Sequence, residues 1–357
     1  MKTKLIKGLA IVCFSLFNIY VLNGQTPVSD SNWTIYFEDY FTNPDSFYAK
    51  GWCSGAFCQN SHIHCGNTPK SSKCELQYYD SNNIVYKAGG GLSLQSKIDQ
   101  GYRLADRWKL SNDTLCDGIQ NLRWFTFTSS AITLYEIPLY QYGYFEVKCK
   151  VPKDTGYWPA FWLWGGIDST IKQEIDILEM NGDKAITCDL YESNVSSKSI
   201  NYDISIKDTI YVDFDLSENY YIYAAEWTPH MVIFYRDNVL QSIVKGNIVP
   251  DLPMKVILNL AIDPWTPPDS NTFSEKSLDV EYVKIYSLKR NCNDSVVCSN
   301  FNFVGYDYSL VKLYRISNSV VPLNIPVTLR ATDEIELQAG FEVPDGAEFC
   351  AMITECY

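Results

Sequence analysis

Short runs rich in Val, Ile, Tyr, Phe and Trp recur along the chain between clusters of Gly, Asn, Asp and Pro, and amphipathic stretches of helical period are nearly absent. The runs predict strands at Trp33–Phe37, Gly91–Lys97, Ser129–Thr133, Tyr142–Val151, Pro159–Trp164, Glu174–Glu179, Tyr220–Trp227, Met231–Arg236, Met254–Ala261 and Asp279–Ser287. Many alternate with period two. In Phe145-Glu-Val-Lys-Cys-Lys-Val151, apolar and charged side chains are expected on opposite faces. Strands that follow one another without intervening helices predict an all-β sandwich or barrel rather than a parallel α/β sheet.

The pattern changes at both ends. Lys2, Lys4 and Lys7 precede a mostly apolar Leu9–Leu22 that is too short and interrupted to span a bilayer, so 1–24 reads as a secretory signal cleaved near Gln25. An uncleaved anchor is the alternative; a lipoprotein cysteine at Cys13 is disfavoured because the apolar run continues past it. No later segment is apolar enough to cross a membrane. Near Lys289–Asn300 the chain turns polar, and a tail follows with short β-like stretches at Val327–Arg330, Glu334–Leu337 and Glu348–Ile353 and turn glycines at Gly340 and Gly346. The expected organisation is a signal peptide (1–24), a main β domain (25–290) and a small C-terminal β module (291–357).

The net charge of −13 becomes −16 once the three leader lysines are removed, which disfavours nucleic acid and anionic membranes as partners. No HExxH, GxSxG or P-loop is present, which sets aside most zinc-hydrolase, serine-hydrolase and nucleotide chemistry. Eleven cysteines remain in an exported chain, where disulfides are the default. Cys292/Cys298 and Cys350/Cys356 are expected as local pairs. Cys53, Cys58, Cys65 and Cys74 cluster in a polar stretch that could hold two bridges. His62 and His64 lie inside that cluster, so zinc is the competing reading, with disulfides favoured.

The chemistry concentrates in Trp158-Pro-Ala-Phe-Trp-Leu-Trp164 and Glu174-Ile-Asp-Ile-Leu-Glu179. On a strand, Glu174 and Asp176 share one face while Ile175 and Ile177 take the other. Strict alternation would turn Glu179 to the apolar face, and a one-residue bulge at Ile177–Leu178 would return it to the acidic one. Three carboxylates on one wall repel one another, and folding alone gives no reason for them. The repulsion is expected to raise at least one pKa, as a general acid requires. Trp158 and Trp162 alternate on one face and are candidates to stack on a flat apolar ligand face, with Trp164 a weaker one; Arg123, Trp124 and Trp265 are further candidates.

These segments resemble glycoside hydrolase family 16, the laminarinase-like retaining endo-glycosidases, whose mark is Glu-Ile-Asp-x-x-Glu after a Gly-x-Trp-Pro-Ala-x-Trp strand. Here the matches are Gly156–Trp162 and Glu174–Glu179. Glu75-Leu-Gln-Tyr-Tyr79, Tyr142–Lys148, Tyr223–Thr228, Asn259-Leu-Ala261 and Val280–Tyr286 follow the family order, over roughly residues 30–288. The resemblance implies a β-jelly roll with a concave cleft. It implies Glu174 as nucleophile, Glu179 as general acid/base and Asp176 as the residue that positions and tunes Glu174. It also implies a polysaccharide substrate, with β-1,3- or mixed-linkage glucan favoured. Agar- or carrageenan-type galactans, transglycosylation, and a non-catalytic carbohydrate-binding sandwich are the alternatives. No cofactor is required. Some members bind a structural calcium near the positions of Asp39 and Glu281, and Tyr40 in place of the family's acid counts against one here. The tail is similar to C-terminal β-modules of exported bacterial proteins, which suits export, surface attachment or sugar binding. A secreted bacterial monomer, outside the cell or on its surface, is expected.

Overall fold

The computed structural model describes residues 4–7, 12–14, 33–56, 62–64, 75–108, 121–135, 140–167, 171–180, 185–196, 199–228, 231–245, 248–270, 273–288, 290–303, 310–323, 327–347 and 349–353. Strand dominates them. Among the described residues, helix is confined to the 3-10 turns Pro44–Ser46 and Ser81–Asn83. The chain divides into two compact units, one built of 37–237 and 241–284, the other of 1–36, 238–240 and 285–357.

The larger unit is a jelly-roll sandwich of two open sheets. Seven strands form the sheet that carries the candidate site: β1 (Trp52–Ser54), β2 (Ala131–Leu134), β3 (Tyr157–Ile167), β4 (Ile171–Glu179), β5 (Ala185–Ser196), β6 (Ser199–Tyr211) and β7 (Lys255–Ile262), in the spatial order β6-β5-β4-β3-β7-β2-β1. The second sheet runs from Val239–Lys245 through Met231–Arg236, Tyr221–Trp227, Gly143–Lys150, Lys276–Leu288, Leu92–Trp108 and Asn121–Ser129 to Gln77–Tyr79. Between the sheets lie Phe161, Leu163, Ile175, Leu178, Val256, Leu258 and Leu260 from the first, and Leu92, Leu94, Phe145, Val147, Tyr223 and Val280 from the second, all almost fully buried. That inner layer is the apolar half of the period-two pattern and the main stabilising surface of the unit.

Several expectations need correction. The run read as one strand, Ser129–Thr133, is a corner where the chain leaves the Asn121–Ser129 strand of one sheet and enters β2 of the other. Ser129 and Ser130 are buried there. The Ser129 hydroxyl donates to Leu260 O and that of Ser130 to Asn83 O, satisfying the break in the ladder. Glu146 does not face solvent. It is buried, its carboxyl raised above the usual range by burial and partly held down by a Tyr282 hydrogen bond and the Lys284 charge.

The smaller unit stacks four consecutive strands in parallel: Arg290–Ser299, Leu310–Ser317, Val327–Leu337 and Phe349–Ile353. Val311, Ile316, Leu329, Ala331, Ile335 and Phe349 supply its core. The backbone of Lys4–Lys7 pairs antiparallel with the Val327–Leu337 strand, and that of Val12–Phe14 with Phe349–Ile353. The polar segment at the expected domain boundary is therefore the first strand of this stack. That also excludes the Cys292–Cys298 pair. Six residues along an extended strand separate Cα atoms by about 20 Å, whereas a disulfide needs less than about 7 Å. Cys298 is a partly buried thiol, and Cys350 a buried thiol rather than half of the expected Cys350–Cys356 staple. Cys58, Cys65, Cys74 and Cys356 lie outside the described residues.

Candidate active site

β4 pairs antiparallel with β3 so that Glu174 lies opposite Trp164, Asp176 opposite Trp162 and Glu179 opposite Ala160. Directly opposed residues project to the same face. Leu178 still opposes Phe161, so Ile177 is the extra residue, and the register toward β5 shifts between Asp176 and Glu179 as well. The bulge expected at Ile177–Leu178 is present. Ile177 and Leu178 are both buried, while Glu174 and Glu179 are partly exposed and Asp176 is nearly covered. The bulge thus puts two successive apolar side chains away from solvent and returns the third carboxylate to the wall of the other two.

The side chains around Glu179 are ordered by contact. Trp158 Nε1–H donates to Glu179 Oε1 at 2.9 Å. The Trp158 ring lies 5.7 Å from that of Trp265, which is 43% exposed in a Pro-flanked loop. The backbone N–H of Trp265 donates to Asp263 Oδ1 at 2.8 Å, and Thr266 Oγ1 donates to Asp263 Oδ2 at 2.6 Å, fixing that loop. Trp162 Nε1–H donates to Asn259 Oδ1 at 2.8 Å, which places the Trp162 ring against β7 as floor. Trp164 meets Trp162 edge-on at 6.2 Å.

Of the sequence candidates, the structure therefore gathers Glu174, Asp176, Glu179, Trp158, Trp162 and Trp265. It does not gather Trp124. That residue stands 54% exposed on the Asn121–Ser129 strand of the other sheet, its ring 5.1 Å from Tyr102. Arg123 neighbours it on the same strand, and its side chain lies outside the described residues.

Sequence reasoning missed the support behind the floor. Glu75 Oε2 accepts from Gln77 Nε2 at 2.6 Å and from the Tyr79 hydroxyl at 3.5 Å, and Gln77 Oε1 accepts the Ile262 N–H at 2.7 Å. Burial, then the Glu75 charge, push the Tyr79 phenol far above its usual range, while hydrogen bonds from Gln77 and Asn259 oppose them. A hydrogen-bonded chain thus runs from Glu75 through Tyr79 and Asn259 to Trp162 (Fully satisfied networks of this kind hold side chains in one orientation.) The available signal was Asn259 itself, a polar residue inside the apolar Val256–Ile262 run.

The residues do not fit a bound calcium near Asp39. Its Oδ1 accepts from Phe41 N–H at 2.8 Å and pairs with Lys50 Nζ at 2.7 Å, and its Oδ2 accepts from Trp52 Nε1 at 3.0 Å. Glu281 Oε1 pairs with Lys148 Nζ at 2.9 Å. Ammonium groups occupy the oxygens a hard cation would need. Among the described residues, no cluster of three or more His, Cys, Asp or Glu is placed to hold a metal. His62 and His64 form a short strand whose side chains lie outside the described residues. No helix among the described residues is long and apolar enough to cross a membrane.

A family model for glycosyl hydrolases family 16 matches residues 91–284, more than half of the chain. The chain belongs to that family. The family 16 match ends at Lys284, where the sandwich unit also ends. The family 16 chain is 31% identical over 170 residues to an endo-1,3-1,4-beta-glycanase of Rhizobium meliloti, a stretch covering 46% of this chain and 34% of that relative. The chain thus spans about a third of the length of that relative. Among solved structures, the laminarinase catalytic domain of Thermotoga maritima superposes with a TM-score of 0.52 at 22% identity, covering 72% of this chain and 98% of that one. The kappa-carrageenase of Pseudoalteromonas carrageenovora gives a TM-score of 0.54 at 18% identity, covering 73% and 98%. Both show the same fold.

Proposed function

We propose that the protein is a secreted endo-glycanase that cleaves β-1,3- or mixed-linkage glucan with retention of configuration. The observation that carries this reading is the bulged β4, which sets Glu174, Asp176 and Glu179 on one open face beside Trp158. Glu174 attacks the anomeric carbon and the glycosidic bond breaks, forming a covalent glycosyl-enzyme; Glu179 gives its proton to the departing sugar oxygen. Glu179 then takes a proton from the water that hydrolyses the intermediate, releasing Glu174 as a carboxylate. Asp176, between them in sequence and nearly covered, holds Glu174 in position. Trp158 and Trp265 offer faces for the C–H surfaces of sugar rings. Family membership and the glucan-acting names of similar proteins support the substrate class. The basic, then apolar leader supports export.

The test is digestion of laminarin, lichenan, agarose and carrageenan by the mature chain, with reducing ends counted and the first-formed anomer read by proton NMR. Mid-chain products from a β-glucan with the β-anomer appearing first are expected. Release from none of the four, or an α-anomer first, overturns the reading. A parallel digest with added oligosaccharide acceptor separates hydrolysis from transfer.

A further inference from the structure

Across the candidate cleft, one row of the sheet runs Glu174, Trp164, Lys255 and then Tyr135. Trp164 lies opposite both Glu174 on β4 and Lys255 on β7. Tyr135 follows Leu134, which pairs with Val256, so it alternates onto the same face as Lys255. Contact confirms the placement: Lys255 Nζ sits 4.1 Å from the centroid of the Tyr135 ring. Trp164 and Lys255 are both partly exposed, and Tyr135 is exposed, so the row opens to solvent. Two strand spacings put the Lys255 backbone about 10 Å from that of Glu174.

No carboxylate among the described residues is in ion-pair contact with this ammonium, although the chain carries 42 acidic residues and 29 basic ones. Burial draws the ammonium below its usual range, and no neighbouring charge offsets that. Folding gains little from a half-buried, unpaired cation on an aromatic face, because desolvation costs more than one exposed cation–π contact returns. A ligand that brings a negative charge would remove that cost and add a charge-assisted hydrogen bond.

We propose that Lys255, seated on Tyr135 and beside Trp164, is a subsite for a fixed negative charge on the glycan, a sulfate ester or a carboxylate on a sugar adjoining the cleavage point. The proposal rests on the reading of this face as the glycan cleft. The anionic group would lie across Trp164 from the three acids, where their repulsion is weaker. Lys255 is then a specificity residue, separating charged from neutral versions of one backbone.

The experiment uses the full chain with three forms of laminarin: the parent, a partly sulfated form and a form partly oxidised to C6 carboxylate. The quantity read is the ratio of kcat/KM on each charged form to that on the parent. Loss of one charge-assisted hydrogen bond corresponds to roughly a tenfold change or more, so Lys255→Met and Lys255→Gln should each collapse the ratio about tenfold. Lys255→Arg should keep it, and added salt should lower it in the wild type. Which charged form carries the higher ratio identifies sulfate or carboxylate as the ligand. A ratio unmoved by Met and Gln overturns the proposal. If no form is cleaved, the glucan reading fails separately. The same ratio is then taken from dissociation constants, and an unmoved ratio, or no binding of either charged form, overturns the Lys255 subsite.

Discussion

The acid and nucleophile roles are the sharpest claims at the residue scale. Glu174→Gln should abolish turnover, because a neutral amide cannot form the covalent glycosyl-enzyme. Glu179→Ala should lose about 10²–10⁴-fold on natural glucan, whose leaving alkoxide needs a proton. That variant should still form the intermediate from a substrate with a good leaving group, and added azide should turn it over to a β-glycosyl azide identifiable by NMR. An α-azide from Glu179→Ala would mean a single displacement. Trp158 acts differently from its neighbour Trp265. Trp158→Phe keeps an aromatic face and removes the N–H that orients Glu179, so kcat should fall about tenfold for one hydrogen bond to a charged group. Trp265→Ala removes only a stacking surface and should raise KM by more than it lowers kcat. Equal effects of both on KM alone would show that the Trp158–Glu179 contact has no part in the chemistry.

At the element scale, the bulge decides whether three acids make one site. Deleting Ile177 would leave Asp176, Leu178 and Glu179 in regular alternation, with Glu179 still opposite Ala160, so the face is kept while the bend of the bulge and the buried Ile177 side chain are lost. The deletion variant should melt well below wild type, from the lost Ile177 burial, and lose activity because the bend that aims Glu179 is gone; near-native activity would show that Glu179 needs no bulge. Gly156, at the entry to β3, is a second such point. Its φ is +94°, and an added Cβ would lie 2.6 Å from Pro268 Cδ and N and 2.8 Å from Thr266 O. Gly156→Ala should push away the loop that carries Trp265 and cost about 1–2 kcal/mol from the backbone conformation alone. Thermal melts and KM together check this. The bulge itself was legible in the sequence, since Glu174, Asp176 and Glu179 share a face only if one residue is skipped. The polar strands β5 and β6 were not, because their Asp, Ser, Asn and Lys content reads as loop until they have a sheet to extend. The crossover at Ser130 was hidden for a related reason. The flanking apolar runs alternate without interruption, and only the sheets they join show that the chain changes layer there. Likewise Asn259 and Lys255 were visible as residues but not as site members, because their roles depend on which strands lie beside β7.

On the scale of the whole molecule, the sandwich unit is tied across sequence by a polar cluster far from the cleft carboxylates in the chain. Lys87 Nζ donates to Asp279 Oδ2 at 3.1 Å and to the Tyr220 hydroxyl at 2.6 Å, and Ser93 Oγ donates to Asp279 Oδ1 at 2.7 Å. The cluster joins the turn before the Leu92–Trp108 strand, the Lys276–Leu288 strand and the segment entering Tyr221–Trp227. Burial pushes the Asp279 carboxyl up, but the hydrogen bonds from Ser93 and Lys87 outweigh it and hold the carboxyl below its ordinary 3.8. Burial lowers Lys87, and its bonds to Tyr220 and Asp279 more than restore it, so it ends above its ordinary 10.5. A depressed carboxyl binds protons more weakly in the folded state than in the unfolded one. Its contribution is therefore complete above about pH 4 and is lost as pH falls through the folded value. The raised lysine has the opposite sense, contributing fully below about pH 10 and fading as pH rises through its own folded value. The Lys87 ammonium still reaches solvent, so the pair is worth about 1 kcal/mol rather than the larger figure of a sealed one. Asp279→Asn should accordingly lower the melting temperature by a few degrees near neutral pH and come level with wild type once pH has fallen through the folded carboxyl's own titration, while leaving kcat/KM on glucan unchanged. Thermal melts of both proteins from pH 2 to 8 check this, and a deficit that persists undiminished in acid would show that Asp279 stabilises by packing rather than by charge.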